Sequence, residues 1–187
     1  MIEDDTSLPG KKIGDNGRPD ESAAFTELSF TQDFDIRIAA DGAWYYRGSK
    51  INRWPLVKLF STVLRRENDG TFWLVTPAER GRIEVEDAPF VAVELSAEGS
   101  GPGQSLAFRT NVGDWVEADA GHPIRVEEDT VTGAPRPYIE VRDGLEALLL
   151  RPVFYDLVER AEKGGPDAGQ RLGVWSRGCF FPLGPAA

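Results

Sequence analysis

Apolar residues fall in short runs along this chain, separated by Gly, Pro, Asn and Asp, and in places they recur at every second position. Phe34-Asp35-Ile36-Arg37-Ile38 alternates strictly, which predicts a half-buried strand. Asp41-Gly42 supplies the turn into a second strand over 43–47. Further strands are predicted over 71–75, 81–85, 90–95, 105–109, 115–118, 124–127, 137–142, 171–175 and 179–183. Asn111-Val112-Gly113-Asp114 separates two of these runs with the chemistry of a hairpin loop.

The period changes to that of a helix twice. Leu56, Val57, Leu59, Phe60, Val63 and Leu64 form one helical stripe behind Pro55, whose missing N–H costs nothing at a first helical position. The second stripe, Val153, Phe154, Leu157, Val158 and Ala161, sits in a segment from about 151 to 162, stopped by Gly164-Gly165-Pro166. Residues 1–24 carry few large apolar groups and read as a flexible lead. The Gly- and Pro-bearing stretch 97–104 reads as a linker, dividing the rest into 25–96 and 97–187. Trp44 to Tyr138, Ile51 to Leu145 and Leu59 to Val153 are each 94 residues apart. That constant offset suggests duplicated strand-turn-helix-strand units, with Phe60 and Phe154 at equivalent buried places. Antiparallel-looking β with one helix per half predicts an α+β fold.

Composition narrows the functions. The net charge of −10 opposes non-specific binding to nucleic acid or to an anionic membrane, and still allows a local basic pocket. One Cys permits no internal disulfide framework and no thiolate-rich zinc site. No apolar run reaches the ~20 residues of a bilayer span, and the first residues carry no signal-peptide pattern, so a cytoplasmic protein is expected.

Candidate chemistry is sparse. Arg80-Gly81-Arg82 and Arg177-Gly178 follow similar apolar triplets, and guanidinium forks with an adjacent Gly suit a carboxylate or phosphate. A structural pairing with one of the 31 acidic residues is the competing reading. Arg109 precedes a loop that does not itself need a guanidinium, and Asn111 and Trp115 flank the same loop. Turn chemistry alone also accounts for Asn111 and Gly113. The clusters Glu84/Glu86/Asp87 and Glu127/Glu128/Asp129 could hold a hard cation, but lack the alternation of a calcium loop. The only His, His122, precedes Pro123 with no Gly-x-Ser-x-Gly elbow to partner it, and Cys179 lies in an apolar strand. Gly99-Ser100-Gly101-Pro102-Gly103 is followed by no Lys-Ser/Thr and is not a phosphate-binding loop. No cofactor is implied.

Several separated blocks resemble the bacterial domain-of-unknown-function (DUF) 1285 family. They are Ala43 to Ile51, Leu74 to Ile83, Val85 to Phe90, Phe108 to Asp114, His122-Pro123 and Pro137 to Arg142, and the resemblance spans roughly 25–184. It implies a duplicated α+β core whose C-terminal half looks like a pleckstrin-homology barrel. It implies no established activity; a ligand between the halves and a role in signal transduction are the expectations it carries. The combined expectation is a non-enzymatic protein that binds an anionic small molecule, a nucleotide among the candidates. Its site would be formed by Arg80, Arg82, Arg109, Asn111, Trp115 and Arg177. An adaptor that takes a protein partner between the sheet and last helix of the second half is the alternative. A hydrolase using carboxylates alone is a third.

Overall fold

The computed structural model describes residues 31–164 and 171–184, so the expected lead over 1–24 lies outside the described residues. The first half begins with β1 (Thr31–Ile38), β2 (Trp44–Tyr46) and β3 (Ser49–Lys50). Alternation does its expected work in β1: Ile36 and Ile38 are buried while Asp35 is exposed. Gly42, at φ 79°, makes the β1–β2 turn, and Asp41 closes it by accepting the Ala43 N–H at 2.9 Å. Helix α1 (Trp54–Thr62) follows, with Pro55 in its first turn. It is shorter than its apolar stripe. Leu64 leaves the helix and starts β4 (Leu64–Arg66), where it pairs with Leu74 and is fully buried. β5 (Phe72–Val75) and β6 (Arg80–Val85) complete the half.

The second half holds β7 (Phe90–Glu98), β8 (Ser105–Thr110), β9 (Trp115–Glu117), β10 (Ile124–Glu128), β11 (Pro135–Arg142) and β12 (Leu145–Leu149). Helix α2 (Arg151–Val158) and a three-stranded sheet of β13 (Glu162–Gly164), β14 (Arg171–Ser176) and β15 (Cys179–Pro182) close it. The stretch 97–104 is therefore not a linker between halves: it ends β7 and turns into β8, within one antiparallel pair. The division falls before β7, at residues 86–89.

Each half forms one curled six-stranded sheet, and the two have the same topology. The orders are β3-β2-β1-β6-β5-β4 and, read from the other edge, β9-β8-β7-β12-β11-β10. In both, the first and last strands of the half lie at the centre and pair parallel, and every other neighbour pairs antiparallel. The duplication is real, but its register is not the 94-residue offset. Trp44 lies on the second strand of its half, and Tyr138 lies on the fifth strand of the other. α1 connects the third strand to the fourth, whereas α2 follows the sixth. An aromatic strand and a Pro-initiated amphipathic helix recur because any half-open sheet needs such covering, and the offset aligned two different coverings.

Helix burial shows the difference. α2 buries Val153, Phe154 and Leu157, with Val174 of β14 and Phe181 of β15 in the same core. α1 buries only Ser61 completely, and Phe60 is half-buried, stacked on the buried Trp44 at 6.1 Å between ring centroids. Phe60 and Phe154 are thus not equivalent. One continuous apolar core still runs from Ile36, Trp44 and Leu74 into Phe90, Phe108 and Ile139. Within the first sheet, the β1–β6 register breaks between Asp33 and Arg37, and the Phe34 ring lies directly on Gly81.

Phe154→Ala should cost ~3–5 kcal/mol in urea unfolding, and Phe60→Ala less, because only part of its ring is out of water. Gly81→Ala would put a Cβ 2.3 Å from the Phe34 ring, where backbone or ring must move. A loss of ~1–3 kcal/mol by the same measurement is expected.

Candidate functional site

Helix α1 is one element through which the halves touch, beside the β1–β2 turn at Gly42 and Arg66 of β4, which donates to the Gly144 carbonyl at 3.0 Å. Trp54, Lys58 and Ser61 follow i, i+4, i+7 spacing and so share one face. That face meets the second half. The Trp54 indole donates to the Asn111 carbonyl at 3.4 Å and its ring lies against Gly113. Lys58 pairs with Asp114, and Arg142 donates to the Ser61 carbonyl at 2.6 Å. The other side of α1 packs on the first sheet through Phe60 and Trp44.

Asn111 holds this contact together. Its backbone N–H donates to the Val91 carbonyl at 2.9 Å, and its Oδ1 accepts the Val91 N–H at 3.2 Å. Its Nδ2 then donates across the boundary to the Gly42 carbonyl at 3.0 Å. Gly42 must lack a side chain, since a Cβ there would stand 2.8 Å from that Nδ2.

A cleft of about 320 Å³ opens beside this junction. Trp44, Lys50, Asn52, Trp54 and Val57 line it from the first half, and Asn111 lines it from the second. Lys50 is exposed and, among the described residues, has no carboxylate partner. Arg53, the residue before α1, makes no side-chain cap to the helix. Trp44 is 1% exposed, and its Nε1 is buried with no hydrogen-bond partner among the described residues. A buried donor left without a partner carries a desolvation cost of ~1–3 kcal/mol.

The six residues expected to form one site are dispersed. Arg109, Asn111 and Trp115 do share one hairpin, with Arg109 directly across from Trp115, but Arg109 is held by its cross-strand partner Glu94 at 2.6 Å. Arg80 pairs with Glu67 at 2.7 Å and lies over the Trp73 ring, on β5 and β6. Arg82 is exposed on a shallow groove with Asp33, Arg37, Arg47 and Glu84. Arg177 pairs with Glu117 at 2.7 Å. Its step to Gly178 is a two-residue β14–β15 turn with φ 50° and 75°, whereas Arg80-Gly81-Arg82 is strand; the two do not correspond. Of the six, Asn111 alone reaches the cleft. Lys50 and Asn52 gave no sequence signal, because a polar residue on a short edge strand or before a helix is ordinary.

Four of the six clustered acids are engaged by arginines. Glu86 pairs with Arg37, and Glu127 with Arg125. Asp87 and Asp129 both hold Arg136, at 2.5 and 3.2 Å, and Tyr138 donates to Asp87 at 2.8 Å. The Thr132 backbone N–H and hydroxyl hold the Asp129 carboxyl down at about 2. Burial, then the neighbouring Asp87, pushes the Tyr138 phenol up. His122 faces Asp119 at 3.2 Å. Cys179 is half-buried in β15. Among the described residues, no three His, Cys, Asp or Glu side chains are grouped to hold a metal, and no helix is long and apolar enough to cross a membrane.

Asn111→Ala should cost ~1–3 kcal/mol in chemical denaturation, because it strands the Val91 N–H and the Gly42 carbonyl. Lys58→Ala, losing a part-exposed ion pair, should cost under about 1 kcal/mol. The Asp129 carboxyl sits below its ordinary 3.8, so its contribution is present above that pH and is lost as pH falls through about 2. Asp129→Asn should flatten the stability profile across that interval, followed by acid unfolding.

Two family models cover nearly all of the described chain: "Domain of unknown function (DUF1285), N-terminal domain" over residues 27–88, and "Protein of unknown function (DUF1285), C-terminal domain" over residues 89–183. Their boundary coincides with the division before β7. The crystal structure of a DUF1285 family protein from Silicibacter pomeroyi DSS-3 is 46% identical with a TM-score of 0.77, covering 91% of this chain and 90% of that one. A DUF1285 family protein from Shewanella baltica OS155 is 27% identical with a TM-score of 0.53, covering 68% of this chain and 92% of that one. No curated protein matches. Two adjoining domain models and a solved relative this similar over nine-tenths of both chains agree, and the chain belongs to the DUF1285 family.

Proposed function

We propose that this protein is a non-enzymatic, cytoplasmic ligand-binding protein, sensing an anionic small molecule at the boundary between its halves. The observation that carries the reading is the junction cleft, lined by the half-exposed Trp54 and by Lys50, which has no carboxylate partner among the described residues. The anion's partner in this reading is Lys50, because Arg80, Arg109 and Arg177 already hold carboxylates. A lone cation beside an aromatic wall favours a small anion, while the chain's overall negative charge disfavours a polyanion. Signal transduction follows as the role, since a ligand at this cleft touches Trp54 and Asn111, which join the halves.

A second reading has its own observation. A groove of about 580 Å³ runs between β11, β12 and α2, with Pro137, Leu148, Leu150, Phe154 and Tyr155 among its lining. It supports an adaptor that takes a peptide against a pleckstrin-homology-like second half, in an α+β protein with α2 along one side of the barrel.

Thermal melting against a panel of small carboxylates, phosphates and nucleotides tests the first reading. A true ligand at ~100 times its Kd adds about 2.7 kcal/mol, or roughly 5–10 °C for a chain of this size. Lys50→Gln should remove most of the shift and leave the ligand-free melting temperature unchanged. A shift that survives Lys50→Gln and disappears with Tyr155→Asp would favour the groove beside α2.

A further inference from the structure

Residues 42–66 carry six of the chain's 21 basic residues and none of its 31 acidic ones. They form β2, β3, α1 and β4. One side of α1 packs on the first sheet and another meets the second half. A third side carries Pro55, Leu59 and Thr62 at i, i+4, i+7 spacing, and all three are exposed. Leu59 is 58% exposed, and Trp54, one residue before Pro55, is 54% exposed. Two large apolar side chains standing more than half in water on a nine-residue helix make a patch rather than a scatter.

Cations stand at both ends of this patch. Arg53 precedes the helix, is exposed, and has no carboxylate partner among the described residues. Arg65 follows it, also exposed. Its Nη1 donates to the Thr62 and Leu64 carbonyls at 3.1 and 2.7 Å, which keeps the guanidinium at the helix C-terminus. Its other nitrogens have no carboxylate among the described residues and remain available to one.

We infer that this side of α1 docks a short acidic segment of a partner protein, in which two carboxylate-bearing residues flank a large apolar one. Charge complementarity calls for the acids, and Leu59 beside Trp54 calls for the apolar residue. Nine helical residues rise about 14 Å, a length that an extended segment covers in about four to five residues. Carboxylates at the two ends of such a segment reach Arg53 and Arg65 while the residue between them covers Leu59. An anionic bilayer offers the same charge but is flat. Asp41, Glu67 and Asp114 border the basic stretch, and a plane of headgroups pressed on α1 would be repelled by them, whereas a segment one chain wide need not meet them. Leu59, Arg53 and Arg65 do not line the junction cleft, so this inference stands apart from the small-anion reading.

A phage-displayed library of random dodecapeptides is panned on the full chain, and enriched peptides are measured by fluorescence anisotropy. The expected peptides carry Asp or Glu about four to five residues apart around Leu, Phe or Trp, and bind more weakly as sodium chloride rises from about 50 to about 300 mM. Leu59→Asp and Arg53→Glu, both at exposed positions, should each weaken binding about tenfold or more while the melting temperature is unchanged. Peptides lacking the acidic pattern, peptides that survive both substitutions, or no enrichment at all would overturn the proposal. Binding lost with Tyr155→Asp instead places the peptide in the groove beside α2 and overturns it too. Stronger binding to vesicles of equal phosphatidylserine and phosphatidylcholine, abolished by Leu59→Asp, makes a membrane the occupant. A dimer in sedimentation that Leu59→Asp splits makes a second copy the occupant. Either result replaces the acidic segment. None of these outcomes touches the small-anion reading, which the Lys50→Gln melting experiment decides.

Discussion

The first and last strands of each half lie side by side and run parallel, and the rest of the molecule is arranged to permit that pairing. Parallel neighbours cannot be joined by a tight turn, so each half must go out through one three-stranded meander and return through another. β1 and β6 are separated in sequence by four strands and α1, and β7 and β12 by four strands. Such closure rests on contacts distant in sequence, which slows folding and makes each half cooperative. The irregular register near Phe34 and Gly81 is where the first of these closures is least regular, and where one added methyl group is expected to be felt.

Two similar sheets need different covers. In the first half the connection between third and fourth strands is α1, and in the second it is only the short stretch from Ala118 to Pro123. The second half is covered by α2 and the small β13–β15 sheet instead. This asymmetry turns one face of α1 toward the second half, and Trp54, Lys58 and Ser61 use it to join the halves. The junction cleft is a by-product of that wedge.

Much of the fold was legible. Period-two alternation located β1, β8 and β11, and Asp41-Gly42 marked a turn, because strand faces and turn conformers are local properties. Which strand pairs with which is not local. The 94-residue offset matched elements of the same kind in different places, and 97–104 looked like a linker because hairpin connections and linkers share Gly and Pro. Leu64 fitted a helical stripe until pairing with Leu74 claimed it. At the candidate site, Arg80, Arg109 and Arg177 were plausible by chemistry and are held by nearby carboxylates, an outcome that a chain with 31 acids against 21 bases favours. Asn111 carried a visible signal as a loop residue, but its bond to Gly42 crosses from one half to the other and leaves no trace in spacing.

The central parallel pair also governs how such a protein can be rearranged. Because β1 and β6 run the same way, a half begins at one end of its sheet and finishes at the other. Joining its finish back to its start would require a connection along the whole strand, about 20 Å. A second copy appended at the finish needs only a few residues, as 86–89 demonstrate. Tandem growth is therefore the geometrically easy path for this unit, and circular permutation the difficult one.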